Sequence, residues 1–393
     1  MTEFASVYGF ERGDVTLANW RETPFSRFAF SHVNEIVPSA LVHVGCAPSE
    51  LKMGIVTGLA DLQINDAGNG RTLIGHLEKT DTDVFVIWHD GAVVFEYAAP
   101  WTTPRKPHII FSISKSVTGL LAGILKDQGL LEFGKPVGHY LPETRNSGFG
   151  DCSLQHLMDM RISLDFVEEY LNADGDYARY RGSTNWNPTP QGKRVETLAQ
   201  LLFSLGKTDE AHGGSFRYLS PASDMLGMVV EAVSGMRYTE FMAEVLWQPL
   251  GAAHPAMMTV DLAGTPRGAG GLSVAAHDLL RVGLMVLDGG ASNGNQIISE
   301  AWVNDMLTNG DDEAWRTGDF ETFVVRGRYR NQWYQMPRGR DAFFGVGIHG
   351  QWLYVDRPTR TAIVKLSSQS VPQDDALDQR NLALFNRIVE AIG

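Results

Sequence analysis

The chain has 393 residues but only two cysteines, Cys46 and Cys152. Two thiols without C-x-x-C spacing exclude a disulfide framework and a cysteine-based zinc site. No stretch approaches the roughly 18 uninterrupted apolar residues that span a bilayer, and residues 1–5 lack a basic segment leading into an apolar one. The expected location is therefore the cytoplasm. Positive charge is also in deficit, with 33 Lys and Arg against 46 Asp and Glu for a net charge of −13. That balance argues against nucleic acid or an anionic membrane as partner, because both select basic patches. H-E-x-x-H, the Walker pattern and G-x-S-x-G are all missing. No metal and no cofactor are expected.

What is present is an ordinary globular composition, 44% hydrophobic and 20% charged. Residues 1–75 show no sustained period of 2 or 3.6 and read as an N-terminal extension. From there the texture changes: Val84-Phe85-Val86-Ile87-Trp88 and Val93-Val94-Phe95-Glu96-Tyr97 flank an Asp90-Gly91 turn and form a hairpin. A helix follows near Ser112, with Val117, Leu120, Leu121, Ile124 and Leu125 on one face and Gly129 as its stop. Helical patterns dominate 131–289. Strands return at 350–355 and 361–366 around Asp356-Arg357-Pro358-Thr359, before a last helix with Leu382, Phe385, Ile388 and Val389 on one face. The fold class is thus α/β of the α+β type. A central antiparallel sheet, assembled from 76–130 and 290–393, is flanked by helices and carries a mostly helical insertion at 131–289; 76–393 is one domain.

Chemistry concentrates at Ser112-Ile113-Ser114-Lys115, an S-x-x-K at the head of the amphipathic helix. Residues three apart share a helical face, so the Ser112 hydroxyl can meet the Lys115 amine, which becomes a base if burial lowers its pKa. The helix N-terminus offers an amide to an oxyanion. Taken alone, the same residues also read as a helix cap and a solvated lysine. Ser114 points elsewhere on the helix. A second element, Tyr218-Leu219-Ser220, gives Y-x-S before another helix. Tyr218 can shuttle a proton to a leaving group, and Ser220 can add a hydrogen bond if the segment is extended. The bland reading of Tyr218 is a core aromatic.

These elements, with Gly129-Leu130-Leu131, Tyr140-Leu141-Pro142, Pro249-Leu250-Gly251 and Gly270-Gly271-Leu272 in order, resemble the serine β-lactamase and penicillin-recognising family over about 83–393. Within it the chain is most similar to class C-related (family VIII) carboxylesterases and 6-aminohexanoate-oligomer hydrolases, on Tyr170, Trp186 and Ile348-His349-Gly350-Gln351-Trp352. The resemblance implies a β-lactamase/transpeptidase-like fold and an acyl-enzyme on Ser112, with Lys115 and Tyr218 as catalytic partners. The family's K-T-G motif, normally on an edge strand, is altered. Arg316-Thr317-Gly318 matches literally but lies in a charged loop. Gly345-Val346-Gly347-Ile348 fits better, making the Ile348 amide the second oxyanion donor beside that of Ser112. Losing the motif lysine lowers the expectation of β-lactamase or transpeptidase activity; His349 either replaces its charge in part or packs beside the strand.

The same resemblance implies substrate contacts from Tyr170 and a flap-like role for Trp186, against readings as a loop tyrosine and a core tryptophan. It also implies an acid that holds a substrate ammonium, yet an ungapped count places Arg181 there. The expected activity is ester hydrolysis, with amide hydrolysis of 6-aminohexanoate oligomers alongside it. The alternatives are a D-amino-acid amidase or peptidase, a weak β-lactamase, or a non-catalytic binding protein. The expected partner is a small-molecule ester or amide, with a homodimer left open.

Overall fold

The computed structural model describes residues 2–45, 47–66, 69–172, 174–189, 191–192 and 195–393. Its main sheet is antiparallel and seven-stranded. The order is Arg328–Arg330, Trp333–Gln335, Ala342–Gly347, Gln351–Asp356, Thr361–Ser367, Thr82–His89 and Ala92–Ala98. The hairpin expected around Asp90-Gly91 is the far edge of this sheet, and Ile363 pairs with Ile87 where the two ends of the chain meet. Thr82–His89 is buried almost throughout because both faces of the sheet are covered. Successive side chains point to opposite faces, and Gln351–Asp356 shows the result. Leu353 meets the Ala276–Leu287 helix, where a Cβ on Gly283 would lie 2.9 Å from its Cδ1. On the opposite face Trp352 and Tyr354 pack on Phe385 of the Asp375–Ile392 helix.

The structure adds to two expectations. The mostly helical middle of the chain carries two strands of a second sheet. Ala256–Thr259 and Leu272–Ala275 are strands, joined by Ser39–Val42 and Pro107–Ile109 into a second sheet. Leu272–Ala275 is buried at every position, so it shows no alternation to mark it as a strand. The strand ending at Gly347 is also interior, because Arg328–Arg330 and Trp333–Gln335 extend the sheet beyond it.

Residues of the N-terminal segment pack against the rest of the chain. Trp20, Phe28 and Phe30 form an aromatic cluster with Ile109, Phe111 and Trp186. Cys152 is a buried free thiol; Cys46 and Met1 lie outside the described residues. Among the described residues, no helix is long and apolar enough to cross a membrane.

Candidate active site

The Ile113–Asp127 helix starts abruptly after the Pro107–Ile109 strand. Phe111 makes the turn at φ 43°. A left-handed phenylalanine costs about 1–3 kcal/mol and persists only where its surroundings dictate it. Those surroundings are aromatic: Trp20 stacks on its ring, and Phe30 and Trp186 meet it edge-on. The N-terminal cluster therefore holds the corner that presents Ser112.

Ser112 occupies the N-cap position without making a side-chain cap bond, so its hydroxyl is free for Lys115. The Lys115 amine donates to Ser112 Oγ at 2.9 Å and to the Ala269 carbonyl at 2.8 Å. Burial lowers its pKa to about 7; Glu168 opposes this, Arg267 reinforces it, and Asp224 opposes it. Such a lysine is poised to accept a proton near neutral pH. Its ammonium nitrogen also lies 4.9 Å from the centre of the Tyr218 ring. Tyr218 is buried, its hydroxyl hydrogen-bonds Ser112, and burial followed by the Glu168 charge raises it well above the usual phenol range. It is therefore a neutral phenol, suited to pass a proton rather than to start as a base. Asp319 fixes its backbone amide at 2.8 Å and Phe320 stacks on its ring. Ser114 is committed elsewhere, its oxygen accepting the Leu272 amide at 3.1 Å.

The end of the Ala342–Gly347 strand closes on this corner. A Cβ on Gly347 would lie 2.5 Å from the Ile110 carbonyl and 3.1 Å from the Ser112 nitrogen. Only glycine allows that approach. It brings Ile348 beside Ser112, and neither residue's amide has a hydrogen-bond acceptor among the described residues. Two unengaged N–H groups at one rim are donors of the kind that can hold a negative oxygen. Arg316-Thr317-Gly318, by contrast, ends a short helix.

The other expected residues fall into two groups. Tyr170 lines the cavity of about 340 Å³ that holds Ser112, Tyr218 and Ile348, and it donates to Glu168 at 3.1 Å. Ser220 is not extended; it opens the Ser220–Ser234 helix, and its hydroxyl and amide both donate to Glu168 at 2.6 Å. Trp186, Arg181 and His349 line a second cavity of about 220 Å³. Trp186 is buried and donates to Thr259 at 3.1 Å. Arg181 lies on the Asp176–Ser183 helix, over the Tyr177 ring. His349 turns at φ 59° and donates from Nδ1 to the Gln369 carbonyl at 2.7 Å. Burial holds His349 down at about 4, so it is uncharged and does not replace the missing motif lysine.

Sequence reasoning missed the supports of Lys115. Asp224 is fully buried and ion-paired with Arg267, and it accepts from the Tyr180 hydroxyl at 2.5 Å. Its other oxygen accepts the Ala269 amide at 2.7 Å, fixing the carbonyl that holds Lys115. The available signal was an aspartate inside the apolar stripe of Met225, Leu226 and Val229. Glu168, which gathers Tyr170 and Ser220, left no comparable trace.

Known proteins share this fold. A 6-aminohexanoate-dimer hydrolase of Paenarthrobacter ureafaciens is 34% identical over 369 residues, 93% of this chain and 91% of that protein. A Bacillus anthracis structure, provisionally assigned as a 6-aminohexanoate-dimer hydrolase, superposes with a TM-score of 0.88 at 23% identity, covering 97% of this chain and 98% of its own. A family VIII carboxylesterase shares the fold at a TM-score of 0.59 and 15% identity, over 86% of this chain and all of that one (100%). The Beta-lactamase family model matches residues 71–387, and with that span the chain belongs to the β-lactamase family of serine hydrolases.

Proposed function

We propose that the protein hydrolyses small esters through an acyl-enzyme on Ser112, with amides of the 6-aminohexanoate type as a second substrate group. The observation that carries this reading is the Lys115 amine, lowered to about 7 and held 2.9 Å from Ser112 Oγ. Neutral Lys115 takes the Ser112 proton as the oxygen attacks the substrate carbonyl. The negative oxygen that forms is held by the Ser112 and Ile348 amides. Collapse breaks the bond to the leaving group, which receives a proton from Tyr218; the Lys115 ammonium restores that proton. Water then attacks the acyl carbon while Lys115 and Tyr218 accept its proton and return one to Ser112, releasing the acid.

The second substrate group is favoured by the 34% identity to the Paenarthrobacter ureafaciens relative. The loss of the motif lysine disfavours β-lactams and D-alanyl peptides. The test is mass spectrometry of the protein after brief exposure to a p-nitrophenyl ester. Wild type gains the acyl mass on the peptide containing Ser112, and Ser112→Ala gains none. An unlabelled wild type, or a Ser112→Ala variant with wild-type turnover, overturns the proposal.

A further inference from the structure

We propose that the second cavity binds a carboxylate at the far end of the substrate's acyl arm, through Arg21 and Arg181, so that the preferred substrates are half-esters or half-amides of dicarboxylic acids. This rests on the acyl-enzyme reading above. The two cavities meet at Tyr170 and Ile348, which line both. Tyr218, the proton donor to the leaving group, lines the first cavity and is not in the wall of the second. A carbonyl oxygen at the Ile348 amide thus sends its leaving group along the first cavity and its acyl arm into the second.

The second cavity carries two guanidiniums. Arg21 is held rigidly, donating to the Trp186 carbonyl at 2.9 Å and to the Asn187 side chain, and lying over the Trp20 ring. Arg181 lies over Tyr177 with a buried Nε that has no acceptor. Among the described residues neither forms an ion pair with a carboxylate, although most of the buried or half-buried arginines elsewhere do, as Arg267 does with Asp224 and Arg330 with Asp159 and Asp305. Their mutual repulsion bears on Arg21, which burial and then Arg181 lower to about 10, still a cation at neutral pH. Glu22 is the one acidic residue in the lining and is exposed. Two unpaired guanidiniums against one solvated carboxylate leave room for an anion, and the planar fork of arginine suits a carboxylate. The first cavity has the opposite character, with Asp319, Asp374, Asp375 and Asp378 in its wall. An anionic acyl arm placed there would be repelled.

The experiment compares three p-nitrophenyl esters of similar size: the neutral butyrate, the anionic hemiglutarate and the cationic 4-aminobutyrate. In wild type the hemiglutarate exceeds the butyrate in kcat/KM by about tenfold or more; Arg181→Gln removes that ratio, and Arg181→Glu shifts preference to the cationic ester. Thermal unfolding supplies a readout independent of turnover. Glutarate raises the Tm of wild type more than butyrate does, and the difference vanishes in Arg181→Gln. Equal ratios in wild type and both variants, or equal Tm shifts by the two acids, overturn the carboxylate site. No turnover of any ester with a glutarate-specific Tm shift instead overturns the acyl-enzyme reading and keeps the site.

Discussion

Lys115 and Arg21 are both drawn out of water, and burial acts on both in the same direction. It lowers Lys115 to about 7 and Arg21 to about 10. The consequences diverge because the starting proton affinities differ. An ammonium begins near 10.4 and, once desolvated, exists half as a free amine at neutral pH; a guanidinium begins above 12 and stays charged. One environment therefore makes a base from lysine and an anion holder from arginine. The neighbours reinforce the division. Lys115 donates to a serine and a carbonyl, whereas Arg21 and Arg181 face a cavity whose one acidic residue, Glu22, is exposed and forms no ion pair with either among the described residues.

The sharpest way to break this contrast is Lys115→Arg, which keeps the charge and removes the proton acceptor. It should lower kcat/KM on a p-nitrophenyl ester by about 10² to 10⁴-fold. A variant with wild-type turnover means that position 115 acts only as a cation. Gly347→Ala comes next. Its new methyl would press on the Ile110 carbonyl at 2.5 Å and separate the Ser112 and Ile348 amides, at a cost of about 10² to 10³ in kcat. A rate within twofold of wild type in a folded variant would rule out those amides as the oxyanion hole.

A pH profile separates the two cations directly. Because the Lys115 pKa is depressed, lowering the pH through about 7 protonates the base, and kcat/KM should fall about tenfold per unit below that point and level off above it. The preference for an anionic over a neutral ester should stay constant from pH 6 to 8, since Arg21, at about 10, keeps its charge there. A profile flat between pH 5 and 8 contradicts the role given to Lys115. The smallest effect is expected from Asp224→Asn. Its carboxylate raises the Lys115 pKa, and without it the unpaired Arg267 lowers that pKa further, so the acid limb should move to lower pH by less than about one unit. Breaking a buried pair should also cost about 3–5 kcal/mol of stability, read by denaturant unfolding. A limb that moves upward would mean that Asp224 does not act on Lys115.

The pairing of Ser112 with Lys115 and the chain before the last hairpin were legible because their relations are local. Ser112 and Lys115 are three residues apart on a helix whose apolar stripe marks it, and Gly347-Ile348 precedes a hairpin. The strands at Ala256–Thr259 and Leu272–Ala275 were not legible. Buried segments of four residues carry no alternation, and the second of them follows glycines that read as turns. The role of residues 2–37 was hidden for a different reason. Trp20 and Phe30 act by meeting Phe111, some eighty residues or more away in the chain, and no periodicity reports such a contact.

Ser220 shows the limit of motif reading at close range. Y-x-S suggested an extended segment with a spare hydroxyl, but the helix begins at the serine and Glu168 takes both its donors. Arg181 shows it at long range. It stands where the resemblance implies an acid, and only the fold brings it to the same cavity as Arg21, 160 positions earlier in the chain. Local spacing and apolar periodicity, which need only backbone geometry, determined the S-x-x-K helix and the hairpin at Asp90-Gly91, and the order of the motifs carried the resemblance to the hydrolase family. The proton affinity of Lys115, the neutrality of His349 and the charge of the second cavity were decided only by the tertiary structure, because desolvation and Coulomb interaction depend on distance in space and not on distance along the chain.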